Sequence, residues 1–315
     1  MHLSEYAAQD ATGLAQLIQD KQVSAAEVRS AALQAIEALN PQVNALVETW
    51  TDEPVSDGGP FNGVPVLIKD LGITAAGRRN EMGSALALGC TAEGDSELMR
   101  RLRLAGLLPL GRTTTPEFAA STTTEGRLCG PTRNPWDTQR SAGGSSSGSG
   151  AAVAAGMVPV AHATDGGGSI RVPASLCGLF GLKSSRGRVP MGPDVDEVWS
   201  GLAAHGLLTR SVRDSAALLD AIHGSATGDP FRIPSPETSF LEQSRRQPGS
   251  LRIGLQTRPL NGQALHPAVK TALEQTVRHL ESLGHRVEEV KLDIGLSWDG
   301  FVELNGRFWS SNTAA

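Results

Sequence analysis

Strands and helices alternate along most of this 315-residue chain, which predicts an α/β protein with a largely parallel sheet. Short apolar runs bounded by Gly and Pro alternate with stretches of helical period. One segment, 251–292, reads as strand, helix and strand in succession. The composition, 39% hydrophobic and 19% charged, is that of a folded globular protein, long enough for one large or two ordinary domains. No internal repeat is visible.

Taken in order, the first helix covers Thr12–Lys21. The second starts at the capping box Ser24-Ala-Ala-Glu27 and runs until Asn40-Pro41 stops it. Asn44–Trp50 has strand character, and residues 51–62 form a polar turn rich in Gly and Pro. Gly63-Val-Pro-Val-Leu-Ile-Lys-Asp70 is an apolar strand that ends in a lysine. Asp95–Gly106 is a capped helix, Leu107–Gly111 a buried strand, and 112–142 a long loop of Thr, Gly and Pro, the kind that lines sites. Ser145–Gly156 reads as a small-residue helix, Met157–Ala163 as a strand and Asp165–Ser169 as a glycine turn. Gly178–Pro190 is loop with short extended pieces, Asp214–His223 a capped helix, and 225–250 a mobile excursion. Leu251–Leu255, His266–Leu283 and His285–Leu292 form the final β-α-β unit.

The net charge of −5, from 28 basic and 33 acidic residues without a dominant basic block, argues against nucleic acid as the main partner. The N-terminus lacks the basic start and apolar core of a signal peptide. The most apolar region, 151–163, is too short and glycine-broken to span a bilayer, so no membrane partner is expected. Cys90, Cys129 and Cys177 form no CxxC pair. Neither a metal nor a disulfide framework is expected, and all three read as buried small apolar side chains in a reducing cytoplasm. No cofactor is called for.

Candidate chemistry concentrates in Gly143–Arg171, GGSSSGSGAAVAAGMVPVAHATDGGGSIR. Such glycine density is costly in conformational entropy unless backbone must approach a ligand closely. Gly144-Ser-Ser-Ser-Gly148 satisfies G-x-S-x-G around Ser146, but that elbow needs a strand before it and a later acid and histidine. Arg133–Ala142 instead reads as polar loop, and His205, His223, His266, His279 and His285 qualify only by number. His162 is either a satisfied core residue or a base for Ser169. Asp165-Gly-Gly-Gly-Ser169 is either a plain turn or a nest of successive N–H groups beside a serine able to attack a carbonyl. Arg171 is placed to pair with Asp165 and hold that turn rigid. A serine without histidine needs another base, and a desolvated lysine serves. Lys69 is either a residue leaving the sheet for water or that base, with Ser145 relaying the proton. Gly178-Leu-Phe-Gly-Leu-Lys-Ser184 lacks the spacing of a phosphate loop.

GGSSSGSGAAVAAGMVP followed by ATDGGGSIRVPASLCGLFGLKSSRGRVP resembles the signature of the amidase signature family of serine hydrolases. GVPVLIKD is similar to that family's lysine segment, and TRNPWD to its approach to the first loop. The resemblance extends from the first helices to the end of the chain. It implies an α/β/α sandwich with a large mixed, mostly parallel sheet, and a Ser–cis-Ser–Lys triad. In that triad Ser169 is the acyl-forming nucleophile, Ser145 the bridging serine and Lys69 the general base. The N–H groups of Gly166, Gly167, Gly168 and Ser169 are implied as the oxyanion hole, with Ser146, Asp165 and Arg171 in support.

There are departures from the pattern. Ser147 replaces the usual glycine and Gly150 an alanine or serine, which alters packing more than chemistry. Gly166 stands where a bulkier residue is common, which implies a more pliant loop or a larger pocket. Family members usually continue well beyond this length, so the C-terminal part is expected to be missing. On this reading 1–315 is one domain. Residues 1–62 are its N-terminal helical part, 63–224 its catalytic core, 225–250 a mobile loop and 251–315 the start of a truncated C-terminal part. The chain looks most like the bacterial branch near cyclic amide dimer (nylon oligomer) hydrolases and urethane-cleaving amidases. The implied substrate is a small-molecule amide or carbamate, acted on by a monomer or homodimer. The alternative is a glutamine-hydrolysing subunit of a tRNA-dependent amidotransferase. Loop 112–130 and segment 190–205 are expected to line the entrance.

Overall fold

Every residue of the strand Pro65–Lys69 is buried, which requires neighbours on both edges and cover on both faces. The computed structural model describes all residues except Asp57, within the expected polar turn, and Ala315, which therefore lie outside the described residues. The chain forms two compact units, Met1–Ser244 and Arg245–Ala315.

The first unit opens with α1 (Leu3–Ala8), α2 (Ala11–Gln19) and α3 (Ala25–Val43). Then come β1 (Leu46–Thr49), β2 (Pro65–Lys69), α4 (Glu97–Leu104) and β3 (Leu108–Thr113). Two small hairpins follow, β4 (Glu125–Gly126) with β5 (Gly130–Pro131) and β6 (Arg133–Asn134) with β7 (Asp137–Ser141). They lead into α5 (Ser147–Ala154), β8 (Val160–Asp165), α6 (Arg171–Cys177) and β9 (Phe180–Gly181). The unit ends with β10 (Ala204–Thr209), α7 (Val212–Ile222) and α8 (Phe240–Ser244).

The main sheet has six strands in the order β1-β3-β2-β8-β10-β9. It is mixed, as expected, but its parallel share is smaller than the alternation of elements suggests. Only β3–β2 and β2–β8 are parallel, because the chain returns in the same direction only through the crossovers that contain α4 and α5. The pairings of β1, β9 and β10 are antiparallel. Val66, Leu67 and Ile68 of β2 join Leu102 of α4, Ile36 of α3, Val153 of α5 and Leu218 of α7 in one buried core. Each such side chain contributes about 1.5–3 kcal/mol when fully buried. Helix α5 packs close to its neighbours because it is small: a Cβ on Gly148 would lie 2.2 Å from the Ala45 carbonyl oxygen and 2.5 Å from the Thr114 nitrogen.

Several boundaries differ from expectation. Helix α3 passes through Pro41 and ends at Val43, because the Asn40 carboxamide accepts from the N–H groups of Ala45 (2.8 Å) and Leu46 (2.9 Å) and closes the end. Arg133–Ala142 is not a loop: Asn134 Oδ1 accepts from the Trp136 N–H at 3.0 Å and folds the segment into the β6–β7 hairpin. Helix α6 carries Pro173 in its first turn, where no N–H bond is lost, and closes at Gly178 with φ +69°. Of the cysteines, Cys177 is buried, but Cys129 is half-buried and Cys90 is exposed on a surface turn.

In the second unit β11 (Arg252–Leu255) and β12 (Arg286–Glu289) pair in parallel around α9 (Pro267–Ser282), the β-α-β unit read from the sequence. Helix α10 (Trp298–Ala314) follows. Among the described residues no helix is long and apolar enough to cross a membrane, and no group of three or more His, Cys, Asp or Glu is placed to hold a metal ion.

Candidate active site

Strands β2 and β8 run in parallel with Leu67 paired to Ala161, so Lys69 and Thr164 leave them close together at their carboxyl ends, where open α/β sheets place ligands. Lys69 does not reach water. Its side chain is fully buried, and Nζ donates to Ser145 Oγ at 2.7 Å and to Thr164 Oγ1 at 2.8 Å. Burial lowers its pKa to about 7, against the opposing charge of Asp165. An amine so placed exchanges protons readily at neutral pH. The sequence reading missed Thr164, whose one signal is its place just before Asp165.

Residues 142–150, the first Gly/Ser loop with the first turn of α5 that continues it, are buried throughout. The Gly144–Ser145 peptide is cis, and the Ser145 carbonyl accepts from Thr115 Oγ1 at 3.0 Å. Ser146 Oγ accepts from the Thr164 N–H (3.3 Å), and its own N–H donates to the Ser169 carbonyl (3.4 Å). A serine so enclosed does not present the exposed hydroxyl of a nucleophile elbow. The extra hydroxyl of Ser147 lies 2.6 Å from Thr124 Oγ1, and Ser149 Oγ donates to the His162 carbonyl at 2.6 Å.

The second loop is held by one carboxylate. Arg171 grips Asp165 through Nε (2.8 Å) and Nη2 (2.9 Å), the pairing expected from the sequence. Asp165 also accepts from the N–H groups of Gly168 (2.7 Å), Ile170 (3.2 Å) and Arg171 (3.3 Å). Burial would raise its pKa, but Arg171 and these N–H groups outweigh burial and hold it below the ordinary value. The Gly168 bond corrects one expectation. That N–H, one of the four expected oxyanion donors, is committed to Asp165.

Ser145, Thr164, Gly166 and Ser169 open into one cavity of about 170 Å³. Phe118 and Ala119 from loop 112–130 and Met191, Val198 and Trp199 from segment 190–205 line it, as expected of both segments. His205 lines it too. His205 Nδ1 is 3.0 Å from His162 Nε2, and His162 Nδ1 accepts from the Lys69 backbone N–H at 3.4 Å. Burial, reinforced by Lys69, pushes His205 down to about 4 and His162 well below its ordinary value, so both stay neutral. His162 is thus a satisfied core residue. Setting aside every histidine overlooks His205, which β10 carries to the cavity wall by pairing with Thr164.

A model of the Amidase family matches residues 27–295. The chain is 43% identical over 291 residues to a 6-aminohexanoate-cyclic-dimer hydrolase of Paenarthrobacter ureafaciens, covering 89% of this chain and 59% of that protein. Among solved structures, a 6-aminohexanoate cyclic dimer hydrolase complexed with substrate superimposes with a TM-score of 0.86 at 40% identity, covering 90% of this chain and 60% of that one. A bacterial aryl acylamidase of the amidase signature enzymes superimposes with a TM-score of 0.83 at 32% identity, covering 92% and 62% respectively. The chain therefore spans less than two thirds of the length of these relatives. With the family model covering most of its length and with identities above 30%, the chain belongs to the amidase signature family.

Proposed function

We propose that this site hydrolyses the C–N bond of a small-molecule amide through an acyl-enzyme on Ser169. What supports the reading is one arrangement: the buried Lys69 amine lies 2.7 Å from Ser145 Oγ, and Ser145 lines the same cavity as Ser169. In this reading neutral Lys69 takes the proton of Ser145 as Ser145 takes that of Ser169, whose oxygen attacks the substrate carbonyl. The N–H groups of Gly166, Gly167 and Ser169 receive the developing oxyanion, each worth about a hundred- to a thousandfold in rate. The proton returns through Ser145 to the departing amine, and water then cleaves the ester by the same relay. Asp165, Arg171 and Ser146 act as positioning residues. The same attack on a carbamate leaves a carbamoyl or carbonate ester on Ser169 with loss of alcohol or amine, so urethanes and esters extend the substrate range.

The alternative, a glutamine-hydrolysing amidotransferase subunit, requires partners for glutamine's ammonium and carboxylate. Among the described residues lining the cavity there is no Asp, Glu, Lys or Arg, which favours a neutral amide. Ser169→Ala should lower hydrolysis of cyclic amides, anilides, short peptides and carbamates by at least about 10⁴-fold. A sulfonyl fluoride should label Ser169 in the parent chain. Unchanged hydrolysis, or a label on Ser146, would overturn the assignment. Glutaminase activity dependent on an added partner would favour the amidotransferase.

A further inference from the structure

A Cβ on Gly166 would lie 2.7 Å from Cε3 and 2.9 Å from Cζ3 of Trp199, closer than such atoms pack. The indole therefore occupies the volume that a side chain at position 166 would take. Of the two expectations for this glycine, a more pliant loop or a larger pocket, the second is corrected: the space is filled from another segment. Trp199 is fixed from both sides. Its backbone is left-handed (φ +55°), as are Ser200 (φ +52°) and Gly201 (φ +72°), a run that non-glycine residues adopt only where the surroundings impose it. Its carbonyl accepts from the Leu202 N–H at 3.0 Å, and the Val198 carbonyl accepts from Ala203 at 3.3 Å. Ala204 then starts β10 opposite Asp165, so the tryptophan loop and the glycine loop hang from one strand pair. The lining also includes Leu71, Phe118, Ala119, Met191 and Val198, all apolar, and none of its described residues is Asp, Glu, Lys or Arg.

We propose that Trp199 sets which acyl groups the site accepts, its ring forming the wall beside the oxyanion donors, and that the favoured group is uncharged and flat or slender. This rests on the reading of Ser169 as the acyl-forming nucleophile. With the substrate carbon at Ser169 and its oxygen at the Gly166 N–H, the proposal places the acyl substituent, rather than the departing amine, on the side of the indole that borders Gly166. A branched group meets the ring edge, and a charged one loses water without gaining a counter-charge.

The test is a series of p-nitroanilides with acetyl, hexanoyl, benzoyl, pivaloyl and succinyl groups, beside acetyl amides of varied amines. The parent chain should favour hexanoyl and benzoyl over pivaloyl and succinyl. Trp199→Ala should narrow the pivaloyl deficit by about tenfold or more and leave succinyl poor, with Trp199→Phe intermediate should the alanine variant fold badly. Gly166→Ala should impair the whole series, and adding Trp199→Ala should recover about tenfold of that loss. Uniform effects of Trp199→Ala across acyl groups, selectivity that shifts among amines instead, or an unrelieved Gly166→Ala defect would overturn the proposal. Binding of the same anilides to Ser169→Ala, with and without Trp199→Ala, reads the acyl order without turnover. An absence of hydrolysis by the parent chain therefore tells against the serine chemistry alone, whereas an unchanged binding order tells against Trp199.

Discussion

The two Gly/Ser loops carry similar residues but are held by different forces. Residues 142–150 are buried along their length and fixed by packing and neutral hydroxyl pairs, such as Ser147 with Thr124 and Ser149 with the His162 carbonyl. The loop 165–171 has Gly167 exposed and Ser169 half-exposed, and it depends on one buried carboxylate gripped by the largely exposed Arg171. On the proposed function the first loop relays protons and must not shift, and burial supplies that rigidity. A loop that meets substrate must stay open to it, so its shape is set by charge at its base.

Damage to the first loop should therefore appear mainly as lost folding, and damage to the second as lost rate. The largest effect is expected from Gly148→Ala, whose Cβ would meet backbone at 2.2 and 2.5 Å, atoms that cannot yield locally. It should cost more than about 4 kcal/mol of stability, read as loss of the cooperative melt. Asp165→Asn keeps the shape of the side chain but removes the charge that Arg171 and the Gly168 N–H answer. Its kcat should fall about 100-fold, as for loss of one oxyanion donor, while Tm moves by only a few degrees as measured by calorimetry. A variant that melted early yet turned over normally would erase the contrast. The smallest effect belongs to Ser147→Ala, which leaves Thr124 Oγ1 without its 2.6 Å partner. About 1–3 kcal/mol of stability should be lost in denaturant titration, with kcat within about twofold.

How far the site could be read from the chain follows the same line. Lys69, Ser145, Ser169 and the Asp165–Arg171 pair lie in segments that read two ways by themselves and are singled out by their resemblance to the amidase signature. Loop 112–130, by its Thr, Gly and Pro content, and segment 190–205 were both expected at the entrance. Within the second segment the parts played by Trp199 and His205 were not legible, nor was that of Thr164, because the pairing of β8 with β10 is what brings them to the wall. Strand β10 contains Gly206 and opens with Ala204 and His205, so its run carries no clear strand signal until its pairing with β8 is known. Helix α6 was hidden by Pro173, which reads as a breaker although it falls in a first turn. The commitment of the Gly168 N–H to Asp165 is likewise a matter of geometry, invisible in a row of three equivalent glycines.

The central claim is that buried Lys69 works as a neutral base through Ser145, and the pH dependence of Ser169 labelling tests it most directly. With its pKa lowered to about 7, Lys69 is protonated and inert below that value and neutral above it. The rate of sulfonyl fluoride labelling, followed by mass spectrometry of the Ser169 peptide, should rise about tenfold per pH unit on the acid side and level off above the inflection near 7. In Lys69→Met that inflection should vanish and the rate fall by about 10³-fold or more. A profile without an inflection near 7 in the parent chain, or the same inflection kept in Lys69→Met, would contradict the account.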